Sequence, residues 1–143
     1  MNTIAGPGAI PAIIAARGDI PEQIVAAGEL RQGRKPSMLA MLSGVALLEV
    51  WRPRRSKTLP RRFVLAVTEQ RVVAYKALGG GEDGDYQLWV RGGIAAEFPR
   101  DAVAMADEGT LLVDGEPIPV FCPNMTGGGD DDTKGLIALL QGV

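Results

Sequence analysis

Two apolar runs separated by a short polar break constrain the fold of this chain more than any other feature. The first run, 63–67, reads FVLAV, and the second, 72–76, reads VVAYK. Both runs are rich in β-branched and aromatic residues, and only the segment TEQR (68–71) separates them. Runs of this kind around a short polar break predict a β-hairpin. The segment Phe63–Ala77 therefore indicates a sheet built from chain neighbours.

Further strand and turn signals lie on both sides of this hairpin. The dipeptide Asp114-Gly115 is typical of a tight hairpin turn, and Gly92-Gly93 predicts a bulge or break within a strand. Short connections between successive strands favour antiparallel pairing. The predicted strands are Gly44–Trp51, Phe63–Val67, Val72–Lys76, Tyr86–Val90, Ile94–Phe98, Thr110–Val113 and Ile118–Cys122.

Helical signals are confined to the two ends of the chain. Ile10–Arg17 is a predicted short helix that Gly18 ends, and residues 36–42 are a predicted helical turn. A capping box of Asp19 and Glu22, followed by apolar residues at helical spacing, predicts a second helix over Ile20–Leu30. Thr133–Leu140 is the predicted last helix. The sequence thus predicts a tail and short helix (1–18), then one α+β domain (19–143) with an antiparallel β-meander.

The residue types that are scarce exclude several functions. The chain has no histidine and one cysteine, Cys122, so catalytic triads with histidine, structural zinc sites and an internal disulfide are all excluded. We therefore expect no catalysis, no metal and no cofactor. The lone cysteine and the absence of a basic segment before the apolar residues 10–16 predict a cytoplasmic protein without a signal peptide.

Positive charge is concentrated in one stretch, although the net charge is only −2. Between residues 31 and 62 there are nine basic residues and a single acid, Glu49. The end of this stretch, WRPRRSKTLPRR (51–62), contains two prolines and is a predicted exposed loop. Clustered guanidinium groups suit phosphate oxygens. The candidate ligand-binding residues are Arg52, Arg54, Arg55, Lys57, Arg61 and Arg62.

Several interpretations of this basic loop remain open. It can be a solvated or salt-bridging surface, or it can bind an anionic membrane, a nucleic acid or a protein partner. The acidic pI of about 5.2 and the scarcity of aromatic residues near the loop disfavour nucleic acid. Separately, the apolar residues 10–16 are candidates for docking onto a second copy of the chain, which would give a homo-oligomer.

The hairpin resembles that of bacterial pleckstrin-homology-like (PH-like) domains. The resemblance rests on Thr68, Arg71 and Tyr75 within FVLAVTEQRVVAYKA, and on the terminal helix Thr133–Leu140. It implies a half barrel of about seven strands capped by one helix over residues 44–143, and a non-catalytic binding or scaffold module. It also implies that the basic loop 52–62, as the first inter-strand loop, holds an anionic lipid or phosphate. The alternatives are a nucleic-acid-associated protein and a homo-oligomeric interaction domain.

Overall fold

The structure is a computed structural model, and it describes residues 2–3, 9–33, 58–80, 87–121 and 128–142. This part of the chain contains eight strands and two α-helices. In chain order they are β1 (Asn2–Thr3), α1 (Ala9–Ala15), β2 (Ala26–Gln32), β3 (Arg62–Val67), β4 (Arg71–Gly80), β5 (Gln87–Pro99), β6 (Val103–Asp107), β7 (Thr110–Val113), β8 (Glu116–Phe121) and α2 (Gly128–Leu140). A 3-10 turn, Arg100–Ala102, joins β5 to β6.

The strands form one antiparallel sheet in the order β1-β5-β4-β3-β2-β8-β7-β6. The strands β2, β3, β4 and β5 pair with one another in chain order. The strands β6, β7 and β8 do the same. The last strand, β8, returns to pair with β2. Among the described residues the sheet does not close into a barrel, because β1 and β6 lie at its two ends. The predicted α+β class and antiparallel meander are confirmed.

The predicted hairpin is the pair β3 and β4, with Val67 opposite Val72. Thr68 fixes the turn because its hydroxyl accepts hydrogen bonds from the amides of Gln70 (3.2 Å) and Arg71 (3.1 Å). The Thr68 amide in turn donates to the Arg71 carbonyl at 2.9 Å. A hydroxyl that satisfies two amides replaces the Asn-Gly signal that shorter hairpin turns use.

The central strands β2, β3 and β4 are buried on both faces, which explains why 63–67 and 72–75 are apolar without alternation. Helix α1 covers one face, and α2 together with β6, β7 and β8 covers the other. The α1 layer contains Ile10, Ile14, Ala27, Val64, Val73 and Tyr75. The α2 layer contains Leu30, Phe63, Leu65, Leu111, Ile118, Leu136 and Leu140.

A predicted turn and a predicted bulge are both confirmed. Asp114 and Gly115 both have positive φ angles, 52° and 81°, as a two-residue hairpin between β7 and β8 requires. In β5, the partner of Tyr75 is Ile94 and the partner of Lys76 is Arg91, so the two glycines between them form the predicted bulge. The bulge lets one long strand, Gln87–Pro99, replace the two shorter ones that were predicted.

The predicted helix over Ile20–Leu30 is wrong, because β2 begins at Ala26 within that range. In an isolated helix Asp19 and Glu22 would cap the first turn, but here their carboxylates have tertiary partners. The Tyr75 hydroxyl donates to Asp19 at 3.4 Å, and Glu22 lies 2.5 Å from Arg71. Of the apolar residues at helical spacing, Ile20, Ile24 and Ala27 pack in the α1 layer, and Leu30 packs in the α2 layer. Tertiary packing of these residues overrides the local helical signal.

Both predicted terminal helices are present, although α1 ends at Ala15 and α2 begins at Gly128, before the predicted Thr133. Ile10 and Ile14 are buried in the domain core. Neither helix has the length and apolar character needed to cross a bilayer. The predicted elements 36–42 and 44–51, and residue Cys122, lie outside the described residues.

Candidate functional site

Three arginines meet where β2 ends and β3 begins. Arg31 and Arg62 are directly opposite each other in the antiparallel register, and Arg61 immediately precedes β3. We call Arg31, Arg61 and Arg62 the basic cluster. Like charges directly opposite each other on neighbouring strands are unfavourable, so their placement needs either a counter-charge or a ligand.

Gln32 holds residues 59–61, which lead into β3, next to the end of β2. Its buried side-chain amide donates to the carbonyls of Leu59 and Pro60, both at 3.0 Å. Its backbone amide donates to the Arg61 carbonyl at 2.8 Å. Leu59 is itself buried in the α2 layer. The positions of Arg31 and Arg61 relative to each other are therefore fixed by buried hydrogen bonds rather than by an exposed loop.

Arg31 lies between two neighbouring strands with an aromatic ring on one side. Its register partners are Arg62 on β3 and Phe121 on β8, and its guanidinium carbon lies 5.8 Å from the centre of the Phe121 ring. Partial burial lowers the pKa of Arg31, and the positive charges of Arg62 and Arg61 lower it further. Among the described residues, no carboxylate lies within ion-pair distance of Arg31 or Arg61.

Arg62, by contrast, has an acidic partner inside the protein. Its Nη2 atom donates to Oε1 of Glu29 at 2.7 Å, and the Glu29 side chain is only 2% exposed. Burial raises the pKa of Glu29, while the charge and hydrogen bond of Arg62 oppose that rise. Glu29 and Arg31 are two residues apart on β2, so both side chains lie on the same face of the strand. A buried carboxylate therefore lies on the same face as Arg31 and Arg62.

Helix α2 packs against the backbone of β2 at Glu29. The Thr133 hydroxyl accepts a hydrogen bond from the Glu29 amide at 3.1 Å and lies 3.4 Å from the Glu29 carbonyl. This contact is close because residue 28 is a glycine: a Cβ there would lie 2.7 Å from Cα of Thr133. Gly28 is thus required for α2 to pack against β2 at this point.

A second group of charges lies at the other end of the hairpin. Arg71 donates to Glu22 at 2.5 Å and to Glu97 at 2.9 Å. The Arg71 hydrogen bond is the main reason that the pKa of Glu22 falls below its usual value. Arg17, which stacks 5.3 Å above the Tyr75 ring, also donates to the carbonyls of Val90 and Gly92. These contacts fasten the segment between α1 and β2 to the sheet.

The predicted ligand-binding residues divide into two groups. Arg61 and Arg62 belong to the basic cluster, where Arg61 is exposed and Arg62 binds Glu29. Arg52, Arg54, Arg55 and Lys57 lie outside the described residues.

Sequence reasoning did not select Glu29 and Arg31 as site residues. The signal for both was a charged pair at alternate positions in an apolar segment, and it could be recognised only if 26–32 were interpreted as a strand.

Comparisons of the chain with protein-family models, with curated proteins and with solved structures found no match. Within the described residues, no group of three or more potential metal-ligating side chains lies close together. The basic cluster is therefore the feature on which a functional proposal can be built.

Proposed function

We propose that this chain is a non-catalytic binding module whose basic cluster binds a phosphate-bearing anion. The observation that carries the proposal is the environment of Arg31. Its partly buried guanidinium lies against Phe121, opposite a second arginine, and no carboxylate of the described residues neutralises it. A bound phosphate would supply the missing counter-charge, and guanidinium groups offer it paired hydrogen bonds.

The chain path adds support because the basic cluster lies at both ends of the connection between β2 and β3. The connection between β2 and β3, residues 33–61, leaves the sheet beside Arg31 and returns beside Arg61. It carries the remaining basic residues that the sequence selected, which are Arg52, Arg54, Arg55 and Lys57. The proposed site itself consists of the basic cluster.

We also propose that the fold is a PH-like half barrel. The support is topological: β2 to β8 are seven strands connected in sequence, β8 returns to pair with β2, and α2 follows β8 and packs on the sheet. The resemblance expects an anionic ligand at the inter-strand loop 52–62, and this segment forms the end of the connection between β2 and β3.

Three probes test the proposal, each measured with wild-type protein and with an Arg31→Ala/Arg61→Ala variant. The probes are inorganic pyrophosphate, phosphatidylcholine vesicles with and without phosphatidylserine, and a single-stranded oligonucleotide. The control variant is Lys76→Ala/Arg91→Ala, because these two exposed basic residues are also opposite each other across neighbouring strands. We expect pyrophosphate to bind wild type and the control alike, and the basic-cluster variant roughly tenfold more weakly.

The outcomes separate the ligand classes. Binding of both pyrophosphate and phosphatidylserine vesicles would extend the phosphate chemistry to a lipid surface. Binding of the oligonucleotide alone, with a steep dependence on salt, would replace the proposal with a nucleic-acid function. Binding of no probe, or equal loss of binding in both variants, would overturn it.

A further inference from the structure

Glu29 occupies the position that a bound anion would compete for. Its carboxylate already accepts a hydrogen bond from Arg62, one of the three members of the basic cluster. The Arg62 side chain is 21% exposed, so part of its guanidinium group is accessible to a ligand from solvent. The protein thus holds an internal anion within hydrogen-bond reach of the site at which we propose an external one.

The neighbours of Glu29 determine how its charge responds when a ligand arrives. Charged neighbours come from β3, which contributes Arg62 with Arg61 beside it, and from β2 itself, which contributes Arg31. On α2, Asp132 and Lys134 flank the Thr133 hydroxyl that bonds the Glu29 backbone. Helix α1 has the sequence AIPAIIA, and the end of β8 (117–121) reads PIPVF, so neither contributes a charge.

We infer that Glu29 is an internal competitor of the ligand, so that binding of an anion to the basic cluster is coupled to protonation of Glu29. This inference rests on the proposed function. A dianion that attracts Arg62 weakens the compensation that keeps the buried carboxylate charged, and it also repels that charge directly. Protonation of Glu29 removes both penalties. By linkage, the ligand raises proton affinity and protons raise ligand affinity by the same factor.

The composition makes this coupling unusually easy to detect. The chain has no histidine, so no imidazole titrates in the range where most pH-dependent binding is observed. Above about pH 5.5, carboxyl groups with an ordinary pKa are almost fully ionised, so up to about pH 7 it is mainly those with a raised pKa that still change charge. Burial raises the pKa of Glu29, whereas Arg71 lowers that of Glu22. Glu29 is thus the group within the described residues that is placed to make binding depend on pH.

Sulfate is the probe of choice because, unlike phosphate, it remains a dianion throughout this range. Its affinity is measured by titration calorimetry at constant ionic strength from about pH 5.5 to about pH 7.5. We expect wild-type protein to bind sulfate roughly tenfold more tightly at the acidic end, within the usual range of coupling factors. Glu29→Gln keeps the shape and an acceptor oxygen but cannot ionise, so its affinity should be high and independent of pH.

The matched control is Glu97→Gln, which removes an exposed glutamate that also binds an arginine. It should retain the wild-type pH dependence. Calorimetry of the wild-type protein in buffers of different ionisation enthalpy needs no variant, and it should register proton uptake on binding. If wild type and Glu29→Gln have the same pH dependence, or if no proton is taken up, the coupling is wrong although the site exists. If sulfate and pyrophosphate bind at no pH, the proposed function itself fails.

Discussion

Two glutamate–arginine pairs stabilise this fold, and they differ in burial far more than in geometry. Arg62 lies 2.7 Å from Glu29, and Arg71 lies 2.5 Å from Glu22. The Glu29 side chain is 2% exposed and that of Glu22 is 19% exposed. Burial raises the pKa of Glu29, whereas the Arg71 hydrogen bond lowers that of Glu22. Similar contacts therefore have opposite effects on the two carboxyl groups.

The difference in burial determines what each pair contributes to the stability of the fold. At the turn, Arg71 binds two glutamates at little desolvation cost, so the pair fastens one segment to another. At the basic cluster, taking Glu29 out of water offsets much of its attraction to Arg62. Loss of Arg62 there removes a compensating charge and a hydrogen bond from a buried carboxylate. The buried pair is therefore the more sensitive of the two, and it is the one that lies beside the proposed site.

Breaking the buried pair should have the largest effect. Arg62→Met keeps an apolar stem but leaves the Glu29 carboxylate without its arginine, and we expect a loss of about 3 kcal/mol in the free energy of unfolding near neutral pH. Arg71→Met is the matched control at the pair whose glutamate is less buried, and it should cost less. Denaturant unfolding of both variants measures the difference. A larger loss for Arg71→Met would contradict the comparison.

Disrupting the close contact between α2 and β2 should lower the free energy of unfolding by a smaller amount. Gly28→Ala would place a Cβ 2.7 Å from Cα of Thr133, so the helix must move away from the strand. We expect a loss of about 1–3 kcal/mol in the free energy of unfolding. Gly93→Ala is the control because nothing lies within 4 Å of the added atom, and its effect should stay within about 0.5 kcal/mol. Equal effects of the two substitutions would show that α2 does not pack tightly against β2.

The smallest expected effects are those of glutamate-to-glutamine substitutions on the pH dependence of the free energy of unfolding. A carboxyl group whose folded pKa is raised contributes stability below the ordinary value of about 4.3, and that contribution is lost as pH rises through the folded pKa. A lowered pKa gives a contribution that is present above about 4.3 and lost as pH falls. From about pH 4 to about pH 7, Glu29→Gln should gain stability relative to wild type, and Glu22→Gln should lose it. Trends of the same sign would contradict the account.

Much of the fold could be predicted from local sequence patterns. The hairpin around Thr68 and the turn at Asp114-Gly115 depend on residues that lie within a few positions of each other, so the sequence contains the necessary information. The Gly92-Gly93 bulge was predicted on the same grounds. The helix predicted over Ile20–Leu30 failed because long-range contacts override local propensity there.

The site was only half predictable for a related reason. The basic run 52–62 is visible as composition, but the opposition of Arg31 and Arg62 arises from the register of two strands that are 29 residues apart in the chain. The pairing of Glu29 with Arg62 depends on the same register. Sequence patterns indicate where charge is concentrated, whereas the register decides which charges meet.

The central claim is that burial sets the behaviour of Glu29, and a carboxyl-carbon NMR titration of the wild-type protein tests it most directly. Glu29 and Glu22 can be followed in one sample, so temperature, salt and protein concentration are shared. The account predicts that Glu29 titrates above the ordinary glutamate value of about 4.3 and Glu22 below it. A Glu29 pKa at or below that of Glu22 would contradict the account.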